Sequence, residues 1–370
     1  MFIPLVKPLL RTACRIASFV LYALTLLACF GGYINPSYLT IPAFFVTAMP
    51  YFVIATMVVV LIWFLCGRWI TAGIGVFVLF LSWSPLTTAV PFHFSKKATP
   101  GAQTFKLLTY NILHGDDQEK GNDVPGNRSF EYVINSGADI VCLQELYNIN
   151  DPHEVHNLHE FQDTLRKVYP YHAGTVENDL TVLSKYPVRL INYEAFFSRR
   201  GREMDRFAAY KVTIKGKELT LINMHMDSYS LSNAERNIVK DIAKGKKDEV
   251  QELKRGIMQK FHDNLTYRAE SANVLRMAID NVKGPLIICG DFNDVPESWC
   301  YRLLRGDDLR DAYVETSFGP LVTYNRHAFW FHLDQILYKG DIQALSVKKG
   351  KLKSSDHYPL LAEFEFTEER

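Results

Sequence analysis

Pro285-Leu286-Ile287-Ile288-Cys289-Gly290-Asp291-Phe292-Asn293-Asp294 runs from an unbroken apolar stretch into a glycine and then into alternating carboxylate and carboxamide. Apolar residues without a polar alternation suit a strand covered on both faces, and Gly290 permits a sharp exit from it. Asp291 and Asn293, two apart, are expected on the same side, where a carboxylate and a neutral amide could act on one small ligand. Taken alone, Gly-Asp-x-Asn is an ordinary Asx-rich turn. Its setting in the rest of the chain decides between the two.

The 370 residues divide sharply near position 94. Before Ser95 there is no Asp or Glu, and the only Lys and Arg are Lys7, Arg11, Arg15 and Arg68. Three apolar stretches, 16–34, 41–66 and 70–90, each approach the ~20 residues that cross ~30 Å of hydrocarbon. They predict three transmembrane helices in an anchor over 1–94. A secretory signal peptide would account for the first stretch only. Lys7, Arg11 and Arg15 precede the first span and Arg68 separates the second from the third, which places the N terminus in the cytoplasm. Three spans then put the remainder on the non-cytoplasmic side, although Lys96 and Lys97 weigh mildly against that orientation.

Setting those four basic residues aside leaves 37 Lys and Arg against 40 Asp and Glu, so the polar part is mildly acidic. That balance gives no support to a broad basic surface for nucleic acid. Local runs such as Arg199-Arg200-Gly201-Arg202 and Lys244-Gly245-Lys246-Lys247 read as solvated loops. Cysteines give no zinc spacing and no disulfide framework, and Cys142 and Cys289 sit in apolar strands as small core residues.

From Thr104 onward, apolar strands alternate with polar helices and turns. Strands are expected over 105–110, 139–143, 180–183, 207–214, 218–225, 285–289, 333–338 and 358–366, with Lys215-Gly216-Lys217 as a hairpin turn. Helices are expected over 128–136 and 269–282. A charged excursion over about 229–264 interrupts the alternation; Ile238, Ile242, Val250, Leu253, Ile257 and Phe261 could line one face of one or two helices there. It reads as a solvated excursion or as an amphipathic element resting on a bilayer or substrate.

Five segments present polar residues at or beside strand ends: Leu107 to Asn111, Asp139 to Glu145, Leu221 to His225, Gly290 to Asp294, and Ser355-Asp356-His357-Tyr358-Pro359. In this order and at these separations they resemble the endonuclease/exonuclease/phosphatase superfamily, the metal-dependent hydrolases that include DNase I-like nucleases and neutral sphingomyelinases. The resemblance covers essentially all of Thr104 to Phe366. It implies an α/β fold, a DNase I-like four-layer sandwich of two central β-sheets flanked by helices, preceded here by the N-terminal helical membrane domain. The catalytic domain is then 95–370.

The resemblance also distributes roles. Glu145 is a hard oxygen donor suited to Mg²⁺ or Mn²⁺ far better than to zinc. Asn111 would support the ion or its water, and Asp356 would lie close to it. His357 is the expected general base, a neutral imidazole able to take a proton from attacking water. Asp334 matches the acidic partner that orients it. Asp291 is expected to hold or help activate the water, Asn293 to donate to a phosphoryl oxygen, and His225 to contact the phosphate. His332 is a competing candidate but should face away. The implied reaction is in-line attack of water on phosphorus without a covalent enzyme intermediate. Neither a Walker-type loop nor a dinucleotide fingerprint is present.

The anchor discriminates among substrates. Tethering to a bilayer raises the effective concentration of lipid head groups, which favours a lipid phosphoester. A membrane-tethered nuclease acting on nucleic acid is the alternative, and an inactive binding module is a third.

Overall fold

The computed structural model describes residues 3–118, 121, 126–146, 158–175, 179–191, 207–228, 251–326 and 329–367. The basic runs at 199–202 and 244–247 and most of the charged excursion, with Ile238, Ile242 and Val250, lie outside them.

Two six-stranded sheets form the centre. The first has the order β13-β14-β1-β2-β4-β3, built from β1 (Thr104–Asn111), β2 (Ile140–Gln144), β3 (Tyr171–Thr175), β4 (Leu180–Ser184), β13 (Ile342–Lys349) and β14 (Leu360–Phe366). The second runs β5-β6-β7-β8-β12-β9, from β5 (Val188–Leu190), β6 (Phe207–Ile214), β7 (Lys217–His225), β8 (Leu286–Asp291), β9 (Arg310–Asp311) and β12 (Asp334–Lys339). A separate two-stranded ribbon pairs β10 (Tyr324–Arg326) with β11 (Phe329–Phe331). Each six-stranded sheet has one parallel pair at its centre, β1 with β2 and β7 with β8, and is otherwise antiparallel.

Strand alternation explains both the core and the site. Phe105 and Leu107 of β1, Ile140 and Cys142 of β2, Leu219 and Leu221 of β7, Ile287 and Cys289 of β8, and Ile336 and Tyr338 of β12 fill the space between the sheets. The intervening residues face outward against helices. Leu108, Tyr110 and Val141 meet α6 (Arg128–Asn135) and α7 (Leu158–Val168), while Ile222, Met224 and Ile288 meet the helix Gln251–Asp280, called α8 here. Burial on both faces is why Ile140–Gln144, Leu180–Ser184 and Leu286–Asp291 carry no polar alternation. Extending the inward register toward one end reaches Gln144 and Asn223, then Asn111, His225 and Asp291. The apolar layer thus gives way to a polar one at a single end of the sandwich.

α8 corrects the expected boundary between excursion and helix. Gln251–Asp280 is one helix of 30 residues, not a start at Ala269. Ile257, Leu265, Ala269, Ala272 and Ile279 are all buried along it, so the apolar face continues through the charged segment. At ~1.5 Å per residue it spans about 45 Å, against about 20 Å for the six residues of β8, and its first turns run past the site end of the strands.

The N-terminal helices also depart from the expected three uninterrupted spans. Most of α1 (Ile3–Phe30) lies in Leu9–Tyr33, among the described residues the one continuous segment long and apolar enough to cross a membrane. The second and third apolar stretches are each bent pairs: α2 (Ile41–Thr47) with α3 (Met49–Leu65) at 68°, and α4 (Trp69–Leu81) with α5 (Trp83–Ala89) at 56°. Pro50 and Pro85 sit just after the two breaks, where a missing N–H and a ring against the preceding turn stop a helix from running through.

These helices meet the sandwich at its site end. Gly31–Tyr33 packs on the start of α9 (Trp299–Arg305), with the Arg302 guanidinium 3.8 Å from the centre of the Tyr33 ring and Gly32 pressed against the Glu297 carbonyl. Thr40 Oγ1 lies 2.8 Å from His262 Nδ1, and Phe44 meets Phe261 edge-on, both on the projecting turns of α8. After α5 the chain bonds the Ser317–Gly319 turn, passes Leu345, and reaches Glu365 through Thr99 before β1 begins at the far end.

Candidate active site

Asn111, Gln144, His225 and Asp291 end parallel strands that all point the same way, so these side chains converge without any long-range loop placement. Asn111 Nδ2 donates across the gap between the sheets to Asp291 Oδ2 at 3.3 Å and to Glu145 Oε1 at 2.9 Å. One layer deeper, Gln144 Nε2 donates to Asn223 Oδ1 at 2.7 Å, and Asn223 returns a bond to the Leu143 carbonyl at 2.9 Å. This buried amide pair ties the two sheets together beneath the site.

His225 presents Nε2 at 3.7 Å from Glu145 and 3.9 Å from Asp291, while Nδ1 faces Asp179 Oδ1 at 3.7 Å. Burial would lower its affinity for a proton, but Asp179, Asp291 and Glu145 outweigh it and the pKa is raised. His357 is held more tightly. Its Nδ1 lies 2.8 Å from Asp334 Oδ2 and its Nε2 lies 3.4 Å from Asp291 Oδ2. Burial again acts downward, yet Asp334 and Asp291 carry the imidazole well above its ordinary value. Burial, only partly offset by His357, pushes Asp291 up to about 6.

Loop conformation completes the set. Six of the seven described non-glycine residues with positive φ, all but Lys215, lie at this end: Leu113, His114, Glu145, Asp179, Asn293 and Glu297. Such conformations cost about 1–2 kcal/mol each and persist where the surroundings over-determine them. Asn293 does not reach the site by strand alternation, because β8 ends at Asp291. A left-handed turn with φ 47° folds it back, and its amide donates to the Met226 carbonyl at 2.7 Å and to Asp291 at 3.2 Å. The fully buried Arg268 of α8 donates to the Asn293 carbonyl from below.

Asp291, Asp334 and His357 can bring ligand atoms within 4.8 Å of one another. The Asp334–His357 hydrogen bond engages those two with each other, so we read them as a proton-handling pair. Glu145 and Asp291, bridged by one amide and flanked by His225, are an oxygen-rich donor set without a thiolate, which fits a hard divalent cation. Asp356 has its Oδ2 3.2 Å from Arg326 Nη1, so a cation already neutralises part of its charge. His332 faces away as expected and packs against Tyr313 with ring centres 5.6 Å apart.

Asp179, His114 and Arg326 were not singled out by sequence. His114 Nε2 lies 3.4 Å from Glu145 Oε2. A usable signal existed for Asp179 alone: it immediately precedes β4, whose first residue pairs with Gln144, which places it level with Glu145. A cavity of ≈ 400 Å³ lined by Leu113, Asp116, Asp117, Gln118, Gly121 and Arg326 adjoins the Asn111 and Asp356 side.

Paired sheets with carboxylates, amides and imidazoles converging at one end define a hydrolase-like phosphoester site. The profile of the Endonuclease/Exonuclease/phosphatase family matches residues 108–357, and the chain belongs to that family. It is therefore a metal-dependent hydrolase of phosphoric esters with the DNase I-like fold. A second profile, described only as a domain of unknown function (DUF8431), matches residues 11–89. No curated protein matches the chain. Among solved structures it is similar to a humanized D. rerio TDP2 (15% identity, 70% of this chain and 98% of that one, TM-score 0.47). It is also similar to the human Nocturnin catalytic domain with bound sulfate (19%, 71% and 95%, 0.45). A family protein from Bacteroides thetaiotaomicron is a third (14%, 72% and 100%, 0.45).

Proposed function

We propose that the chain is a membrane-anchored phosphoesterase whose substrate is the phosphorylated head group of a lipid. The observation that carries this reading is the position of the N-terminal helices against the site end of the sandwich, through Tyr33–Arg302, Thr40–His262 and the Phe92–Phe318 bridge. A substrate drawn from a bilayer then starts next to the catalytic groups.

Residues 1–94 act as the anchor and 95–370 as the catalytic domain. Three spans, counting each bent pair as one, agree with the contacts: Gly31–Thr40 and the chain after Ala89 both lie beside the sandwich. The N-terminal half of α1, a helix about 42 Å long over 28 residues, carries Lys7, Arg11 and Arg15. With Arg68 also at the turn between α3 and α4, the basic residues favour a cytoplasmic far side and a catalytic domain outside.

In the reaction, Asp334 holds His357 with Nδ1 protonated, leaving Nε2 toward Asp291 and the attacking water. Because Asp334 and Asp291 raise the imidazole, Nε2 first gives up its own proton; it then takes the water proton as the water oxygen bonds to phosphorus and the ester P–O bond breaks, and Asp334 stabilises the resulting imidazolium, which can protonate the leaving oxygen. Asp291 orients the water; His225 donates to a phosphoryl oxygen whose charge grows in the transition state, and Asn293 joins it by turning the N–H held by Asp291 toward the substrate. Glu145, with Asn111 and Asp356 nearby, would hold Mg²⁺ or Mn²⁺, which supplies neutralisation of phosphoryl and leaving-group oxygen charge.

The test is turnover by the detergent-purified full chain with Mg²⁺ against sphingomyelin, phosphoinositides, other phospholipids and DNA, with and without EDTA. Lipid hydrolysis that needs the metal and disappears in His357→Ala and Glu145→Gln is expected. Cleavage of DNA alone would defeat the lipid reading, and full activity in EDTA or in both variants would defeat the site.

A further inference from the structure

Ser317-Phe318-Gly319 forms a turn between α10 (Ala312–Thr316) and Thr323, and it displays an aromatic ring where a water-facing turn would carry polar residues. Phe318 is 62% exposed. It does not stand alone: Phe94 stacks on it with centres 5.5 Å apart, Phe92 meets it at 5.7 Å, and Trp83 of α5 stacks on Phe92 at 6.2 Å. All four rings remain exposed. The cluster joins three parts of the chain, namely the last apolar helix, the segment leaving it, and the catalytic sandwich. Backbone bonds lock the join, from His93 N to the Ser317 carbonyl at 3.0 Å and from Gly319 N to the Pro91 carbonyl at 2.8 Å.

We propose that Phe318, with Phe94, Phe92 and Trp83, is an interfacial anchor by which the catalytic domain itself sits in the head-group region of the bilayer that holds α1–α5. The occupant is lipid because the cluster is continuous with the exposed apolar surface of α4 and α5, where Phe77, Phe80 and Leu81 face outward. Aromatic rings at the end of an apolar helix favour the membrane–water boundary. Seating there has a consequence for the site. Five residues after Phe318, the Thr323 hydroxyl accepts from the backbone N–H groups of Leu333 and Asp334, at 2.9 and 3.0 Å, next to the carboxylate that orients His357. The anchored edge is thus linked to the catalytic end through Thr323. Resting on the lipid-phosphoesterase reading above, this makes the substrate a head group of the same leaflet.

The docking test uses the full chain in phosphatidylcholine–phosphatidylglycerol vesicles and the variant Phe318→Trp, read against the parent's five tryptophans. Replacing the lipids by acyl-brominated ones should quench at least half of the added emission. Added emission untouched by bromine but quenched by aqueous iodide overturns the proposal. A second variant, Phe318→Ser, should keep turnover of bis(4-nitrophenyl) phosphate within twofold while hydrolysis of lipid in its own vesicle falls roughly tenfold. Equal loss on both substrates means that Phe318 acts through the fold, and overturns its role as an anchor. If the parent cleaves the soluble diester but no lipid, the lipid-substrate reading fails, and the bromine result still decides whether that edge is seated in the bilayer.

Discussion

Gly290→Ala should be among the most damaging single-methyl additions in the catalytic domain, and the structure says why. Gly290 has φ 136°, a region that side chains rarely enter. It is paired in register with Met224 of the neighbouring parallel strand. A Cβ there would overlap the Met224 carbonyl oxygen and stand 3.0 Å from that residue's carbonyl carbon and nitrogen. Both obstacles are backbone in the middle of a sheet, so no side chain can rotate away. Strain at such a φ costs about 1–3 kcal/mol and overpacking a dense core adds about 1–3 kcal/mol, together on the order of 4 kcal/mol. Gly216→Ala is the control: its φ is 88°, yet nothing lies within 4 Å of the added methyl, so it bears only the conformational cost of about 1–2 kcal/mol. Denaturant unfolding of the full chain in detergent, followed by near-ultraviolet circular dichroism, separates the two. If both variants lose the same stability to within about 1 kcal/mol, the Met224 backbone yields freely and the argument from close approach is wrong.

Asp334→Asn should leave the fold and KM nearly unchanged while kcat falls about 10²–10⁴-fold, because an amide facing Nδ1 no longer fixes the tautomer that leaves Nε2 free; a kcat within threefold of the parent would remove Asp334 from the mechanism. Asp291→Asn should abolish turnover yet stabilise the metal-free protein. Burial raises Asp291 to about 6 from 3.8, so the folded state binds more protons than the unfolded state between those values. The ionised group then costs on the order of 3 kcal/mol above pH 6, a gain for Asn that vanishes below pH 4. Unfolding midpoints in EDTA at pH 7.5 and pH 4 test the sign, and a less stable variant at pH 7.5 contradicts it. His332 works in the opposite direction. Burial depresses it to about 4 from 6.5, so the unfolded state binds the extra proton, and about 3 kcal/mol of stability should drain away as pH falls through that window. In His332→Asn the acid sensitivity between pH 6.5 and pH 4 should be correspondingly shallower, and an unchanged slope would mean that His332 is solvated.

Local pattern sufficed for what strand periodicity governs. Asn111, His225, Asp291 and Asp334 were legible because each ends or begins an apolar strand in the inward register, and the sheets supply the rest. Lys215-Gly216 was legible as a turn because both residues accept positive φ, at 49° and 88°. What escaped depended on partners distant in sequence. β13 carries Lys348 and Lys349 at its end and pairs only with β14, so its alternation is weak at the sheet edge. The start of α8 was hidden by charge on its exposed face, although Ile257 and Leu265 on the other face are buried. Arg326 reaches Asp356 from a two-stranded ribbon that has no signature in one sequence. The bends at Ala48 and Ser82 could have been read from Pro50 and Pro85, but composition alone scores an apolar stretch as one span.

Two of the attachments of the helical region, at Glu297 and at Phe318, are each one short step from a residue of the candidate site, and this limits how seating and chemistry can vary separately. Gly32 presses on Glu297, which is buried, holds φ 70° and forms an ion pair with Arg302. Four residues earlier stands Asn293, kept in its left-handed turn by Asp291, Met226 and Arg268. On the other side Phe318 leads to Thr323 and so to Asp334. One attachment therefore bears on Asn293 and Asp291, proposed to face phosphate and water, and the other on Asp334, proposed to orient His357. Supports at both Glu297 and Phe318 constrain the orientation of the site more than a single flexible tether would. On the lipid-substrate proposal, a head group approaching from the bilayer would meet Asn293 and His357 at a set angle, and in-line attack is a reaction whose rate depends on that angle.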